Sequence, residues 1–135
     1  MATHRSLRIY IVEDSPIVLR LLESLITGVG SAVVGHSDDA AMALGEIGTL
    51  RPDVVILDIA LRSGTGFDVL RGIAAQGPGR KPVRIMHTNY SSETYRQEAK
   101  ELGVDYFFDK SAETHEMLKL VASLGIAASR NGSVA

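Results

Sequence analysis

The sequence predicts a single-domain α/β fold in which a parallel β-sheet is doubly wound, with helices on both faces. Three observations carry that prediction. Short apolar runs rich in Val, Ile and aromatic residues recur five times, and apolar residues at helical spacing lie between them. The runs are largely continuous, as in strands covered on both sides, which suits a parallel sheet between helix layers. The chain has 135 residues and 45% hydrophobic content, sufficient for one core.

Taken in order, "LRIYIV" (7–12) is the first strand. Ser15-Pro16 then places a capping hydroxyl before a proline suited to a first turn, and Val18, Leu21, Leu22 and Leu25 form the apolar stripe of the first helix. Gly28 and Gly30 end it. "SAVVGH" (31–36) is the second strand, ending in His36, and Ser37-Asp38 opens the second helix. "VVIL" (54–57) is the third strand, with Asp58 directly at its end. "VRIM" (83–86) is the fourth, Ser91-Ser92 opens the helix after it, and Gly103 closes that helix. "VDYFF" (104–108) is the fifth strand, followed by a helix marked by Met117, Leu118, Val121 and Leu124. Residues 1–6 are read as an N-terminal lead, 7–127 as the domain, and the aperiodic "ASRNGSVA" (128–135) as a disordered tail or linker stub.

Charge and composition exclude several classes of function. Sixteen acidic residues stand against fourteen basic ones, a net charge of −2, so no basic surplus is available for a nucleic-acid backbone. The absence of cysteine excludes disulfides and cysteine zinc sites, and fits a reducing, cytoplasmic setting. No apolar run approaches the roughly 18 residues that cross a bilayer, and the start is too briefly apolar for a secretory signal. The expected setting is the cytoplasm, with neither membrane nor nucleic acid as a direct partner.

Strand interiors do not tolerate an unpaired charge, so Asp58 belongs at a strand tip, facing something. In open parallel sheets, polar groups collect at the carboxyl ends of strands, beside the point where strand order reverses. Applied to each strand, that rule gathers Glu13 and Asp14 from the first, Asp58 from the third, Thr88 from the fourth and Lys110 from beyond the fifth. His36 has no place in the set. Three carboxylates together repel one another unless a cation intervenes. Hard oxygen ligands suit Mg2+ with a phosphoryl group. A carboxylate there can be the nucleophile of phosphoryl transfer, with the metal and Lys110 offsetting charge on the equatorial oxygens.

The set "VED" (12–14), "ILD" (56–58), "SGTGFDVL" (63–70), "HT" (87–88) and "GVDYFFDKS" (103–111) resembles the receiver domain of two-component response regulators, over about residues 7 to 127. The resemblance implies a flavodoxin-like (βα)5 three-layer sandwich with strand order 2-1-3-4-5. It further implies that Asp58 is the phosphoacceptor and that Asp14, Glu13 through water, Asp58 and the backbone carbonyl of Ala60 hold Mg2+. Lys110 pairs with the phosphoryl group, Thr88 shifts to hydrogen-bond it, and Phe107 is the aromatic that turns inward with Thr88. Gly66 matches the glycine of the loop after the acceptor. The partners implied are a histidine kinase or phosphotransfer protein and a downstream protein bound at the face of the fourth helix, fifth strand and fifth helix.

Four positions depart from the family pattern. Glu13 stands where many relatives have Asp, Arg62 where proline is usual, Ser111 where proline follows the lysine, and Phe107 where Tyr is common. The serine leaves two geometries for the Lys110–Ser111 peptide: trans with a rearranged loop, or an uncommon cis bond. Arg62 adds a cation near the acceptor loop.

Plainer readings exist for each residue: Asp58 as a cap, Thr88 as a strand residue, Lys110 as solvated and Phe107 as core. Only their combination outweighs these. His36 and His87 are read as structural, Met42, Met86 and Met117 as core filler, and "GPGR" (77–80) as a turn. Two rival functions remain: a receiver-shaped module acting without phosphate, suggested by Arg62 and Ser111, and an aspartyl-phosphate phosphatase. The latter commonly needs a second acid two residues beyond the nucleophile, where this chain has Ala60.

Overall fold

The computed structural model describes residues 6–131. Five strands and five helices alternate: β1 (Arg8–Val12), α1 (Pro16–Gly28), β2 (Ala32–Ser37), α2 (Ala40–Leu50), β3 (Val54–Leu57), α3 (Gly66–Ala74), β4 (Val83–Thr88), α4 (Glu93–Glu101), β5 (Tyr106–Asp109) and α5 (Thr114–Asn131). All strands pair in parallel in the order β2-β1-β3-β4-β5. The expected strand order is thus observed.

The pleat divides the core in two. Tyr10 and Val12 of β1 and Val55 and Leu57 of β3 face one layer, where Ala43 and Ile47 of α2, Leu70 and Ile73 of α3 and Ala99 of α4 cover them. Ile9, Ile11, Val54 and Ile56 face the other layer, under Leu22 and Ile26 of α1 and Met117 and Val121 of α5. Both central strands are therefore covered on each face, which is why their sequences are unbroken apolar runs. Each fully buried aliphatic side chain contributes on the order of 1.5–3 kcal/mol.

Helix starts follow side-chain capping. Ser15 accepts from the Val18 N–H with Pro16 in the first turn, and Ser92 accepts from Tyr95 N–H. Thr65 and Asp68 cap each other reciprocally at α3. The start of α2 differs from expectation: Asp39 is the cap, accepting from Met42 N–H, while Ser37 ends β2 and its hydroxyl braces Asp39. His36, expected at that strand's end, precedes it by one residue.

Two further expectations are corrected. Residues 128–131, assigned to a disordered tail, continue α5 to Asn131, because Ala128 is fully buried against the α1/α5 core and extends the helix's apolar stripe. The rest of that tail, 132–135, and residues 1–5 of the lead lie outside the described residues. Met42, read as core filler, is exposed, whereas Met86 and Met117 are buried as expected.

Candidate functional site

The sheet's hydrogen-bond ladder runs past the strand ends and draws their tips together. Glu13 N–H donates to Ser37 O (3.0 Å), Asp58 N–H to Val12 O (2.9 Å) and Lys110 N–H to Thr88 O (2.8 Å). The first residue beyond three strands is thereby fixed with its side chain over one edge.

Asp58 is buried, and both its oxygens are engaged. Oδ1 accepts from the Thr88 hydroxyl (2.6 Å) and from the Ile59 amide (2.7 Å), and Oδ2 accepts from Lys110 Nζ (2.6 Å). The same ammonium lies 2.9 Å from Glu13 Oε1, while Glu13 Oε2 accepts from Ser15 N–H at 3.1 Å. Two buried carboxylates thus share one cation. Burial pushes the Glu13 carboxyl above the ordinary glutamate range, against the pull of Lys110 and the Ser15 amide. Burial also disfavours the charge on Lys110, but its bonds to Asp58 and Glu13 outweigh that and hold its pKa above the usual lysine value.

Glu13, Asp14 and Asp58 each offer a carboxylate oxygen, all within 4.8 Å of one another, and Asp14 is exposed. A hard, all-oxygen donor set open to solvent on one side fits a divalent ion that keeps several waters, as Mg2+ does. Ala60 lies two residues past Asp58, paired across the loop with Thr65. Its methyl side chain supplies no second acid for phosphatase chemistry.

Gly66 shows how tightly the loop folds over Asp58. A Cβ at Gly66 would lie 2.2 Å from the Asp58 carbonyl oxygen, and the Gly66 amide donates to Ile59 O at 2.9 Å. Only a residue without a side chain permits that approach.

The departures resolve locally. The described residues contain no cis peptide, so Lys110–Ser111 is trans. Asp109 Oδ1 accepts from the Ser111 and Ala112 amides (2.8 and 2.9 Å), and Ser111 Oγ donates to Asn89 Oδ1 (2.9 Å). Arg62 is drawn to the acids of the β2–α2 loop, 3.0 Å from Asp38 and 3.7 Å from Asp39.

Phe107 is half-buried against the α2/α3/α4 core, with the Arg96 guanidinium 4.7 Å above its ring. Arg96 also donates to Ser91 O (3.0 Å) and Glu113 Oε1 (3.2 Å), tying α4 to the turn between β5 and α5. Sequence reasoning did not single out Arg96, Glu113 or Thr114. Each is a common residue type at or near a helix start, and its long-range partner lies 17 or 27 positions away, so no local pattern marks that contact.

A doubly wound sheet with acids and a lysine gathered at the carboxyl edge of its central strands defines a class of domain, and comparison with known proteins fixes the family. Residues 9–122 match the response regulator receiver domain, and the chain belongs to that family. It is 26% identical over 119 residues to the DNA-binding transcriptional activator DevR/DosR of Mycobacterium tuberculosis, covering 87% of this chain and 54% of that protein. It is 30% identical over 76 residues to chemotaxis protein CheY of Thermotoga maritima, covering 56% of this chain and 63% of the relative. The chain therefore spans between about half and two thirds of the length of these relatives. Among solved structures, the response regulator domain of Thermotoga maritima CheB superposes with a TM-score of 0.72 at 26% identity, covering 93% of this chain and 95% of that one. No helix among the described residues is long and apolar enough to cross a membrane.

Proposed function

We propose that this receiver takes a phosphoryl group onto Asp58 from a histidine kinase or phosphotransfer protein. The observation that carries the reading is the convergence of Lys110 Nζ and the Thr88 hydroxyl on different oxygens of one buried carboxylate, each at 2.6 Å. An Asp58 oxygen attacks phosphorus in line, the bond from phosphorus to the donor nitrogen breaks, and the departing imidazole takes up a proton. Lys110, already held beside Asp58, offsets charge on a phosphoryl oxygen, and the Thr88 hydroxyl turns from the carboxylate to the new group.

Glu13, Asp14, Asp58 and the Ala60 carbonyl are the groups that would hold Mg2+. When bound, the ion neutralises the clustered acids and the developing charge on the phosphoryl oxygens.

The readout is a change in protein binding at the face of α4, β5 and α5, where Phe107 lies between Thr88's strand neighbours and Arg96. The setting is cytoplasmic, and the domain assists its own phosphorylation and dephosphorylation rather than turning over a separate substrate.

Incubation with acetyl phosphate and Mg2+, followed by intact-mass measurement, tests the reading. The wild type is expected to gain one phosphoryl group and Asp58→Asn none. A wild type that stays unmodified while a known receiver is labelled overturns it.

A further inference from the structure

We propose that His87 and Thr114 are positioning residues for Lys110, forming a relay in which His87 Nε2–H donates to Thr114 Oγ1 and the Thr114 hydroxyl donates to the Lys110 carbonyl. The relay fixes the backbone from which the lysine reaches Asp58. Its consequence for phosphoryl transfer rests on the phosphoacceptor reading, whereas its geometry stands independently.

His87 is buried on β4, next in sequence to Thr88 but on the opposite face of the strand, toward the α1/α5 layer. Its Nε2 lies 2.8 Å from Thr114 Oγ1, and Thr114 Oγ1 lies 2.8 Å from Lys110 O. A carbonyl oxygen only accepts, so the single hydroxyl proton of Thr114 is committed to Lys110. His87 must supply the proton of the other bond. The ring is thereby the Nε2–H tautomer, leaving Nδ1 bare, and Nδ1 is the one buried side-chain nitrogen or oxygen among the described residues that lacks a partner. Burial, and then the nearby positive charge of Lys110, keep the ring neutral, with a pKa lowered to about 4.

The remaining ties on this segment hold other atoms. The Lys110 amide donates to Thr88 O (2.8 Å), the Ser111 amide is held by Asp109, and the Ser111 hydroxyl by Asn89. Thr114 is the hydrogen-bond donor to the Lys110 carbonyl, immediately before a serine that lacks proline's fixed φ. Lys110 Nζ must be held to within a fraction of an ångström of its place beside Asp58 Oδ2, because small misplacements of a charge-stabilising group cost rate steeply. One strand therefore serves both sides of the acceptor, Thr88 directly and Lys110 through His87.

The test uses the full chain labelled with 15N at histidine, and beryllofluoride with Mg2+ as the phosphoryl mimic. Two-bond 1H–15N correlation is expected to give His87 as the neutral Nε2–H tautomer at pH 7. Thr114→Val is expected to bind beryllofluoride about five- to tenfold more weakly, with Mg2+ affinity unchanged, and Thr114→Ser to recover wild-type binding. A Nδ1–H tautomer or an imidazolium overturns the relay. So does a valine variant that binds beryllofluoride like wild type, a serine variant as weak as valine, or an equal loss of Mg2+ affinity. Should the valine variant not fold, the wild-type tautomer and the serine variant decide. A wild type that binds no beryllofluoride refutes the phosphoacceptor reading instead, and the tautomer still judges the relay.

Discussion

Lys110 is the residue on which the site's stability and its chemistry converge. Its ammonium lies within 3 Å of both Glu13 and Asp58, which are 4% and 6% exposed. Removing one partner of a buried ion pair costs about 3–5 kcal/mol, because the remaining charge is stranded. Lys110→Met is expected to lose stability on that scale in urea unfolding with chelator present, and Mg2+ to restore more of it than it adds to wild type. His87 sets a different dependence. In the unfolded chain the ring takes up its proton near pH 6.5, in the fold only near about 4. Between those values the unfolded state binds more protons, so stability falls as pH falls. The wild type is expected to lose about 3 kcal/mol more than His87→Gln between pH 6.5 and about 4. Chemical denaturation of both proteins across that range checks it, with the carboxylates common to both cancelling in the difference. At this scale, Glu13, Asp14, Asp58, Thr88 and Lys110 were legible because the end-of-strand rule places them without knowledge of packing. The His87–Thr114 and Arg96–Phe107 contacts were not, since they depend on how α4 and α5 dock.

Among the elements, the β3–α3 loop is the most constrained. Gly66 begins α3 while pressed against the Asp58 carbonyl, with no room for a methyl group. Gly66→Ala is expected to cost about 1–3 kcal/mol and to shift the Ile59 and Thr88 amide resonances, as Asp58 is displaced. The strands were readable from composition: β3 keeps the bounds read from the sequence, and the others differ by one or two residues, at both ends in β2 and β5. β2 and β5 have only one neighbour each, so their side chains are half-covered and their apolar signal is weaker. α5 outran its expected end because small residues such as Ala127 and Ala128 carry little periodic signal, yet Ala128 is fully buried in the α1/α5 core. Met42 misled in the opposite sense: it follows the cap of α2 by three residues and turns outward, a phase that composition alone does not set.

The molecule as a whole separates its two ends. The carboxyl edge of the sheet carries the acid cluster, and the opposite edge carries a structural one. There the buried Asp53 accepts from the Arg8 amide (2.9 Å) and from Arg80 Nη1 (2.9 Å). Asp53→Ala is expected to destabilise the fold by about 3–5 kcal/mol, since it unpairs groups arranged around a buried charge. Its midpoint of labelling by acetyl phosphate should stay at the wild-type value under conditions where it is folded. Thermal unfolding and intact-mass measurement on one preparation separate the two effects.

The tyrosines near Thr88 have a consequence for how such a protein can be watched. The chain contains four tyrosines and no tryptophan. The Tyr90 amide donates to the Thr88 hydroxyl at 3.2 Å, and the exposed Tyr90 ring sits edge-on to Tyr95, 5.8 Å away, which in turn stacks on Phe67. A displacement of the threonine is expected to alter that amide bond and with it the setting of the aromatic pair, and no indole emission masks the phenol signal. Tyrosine fluorescence is therefore expected to report on the surroundings of Thr88 without a dye.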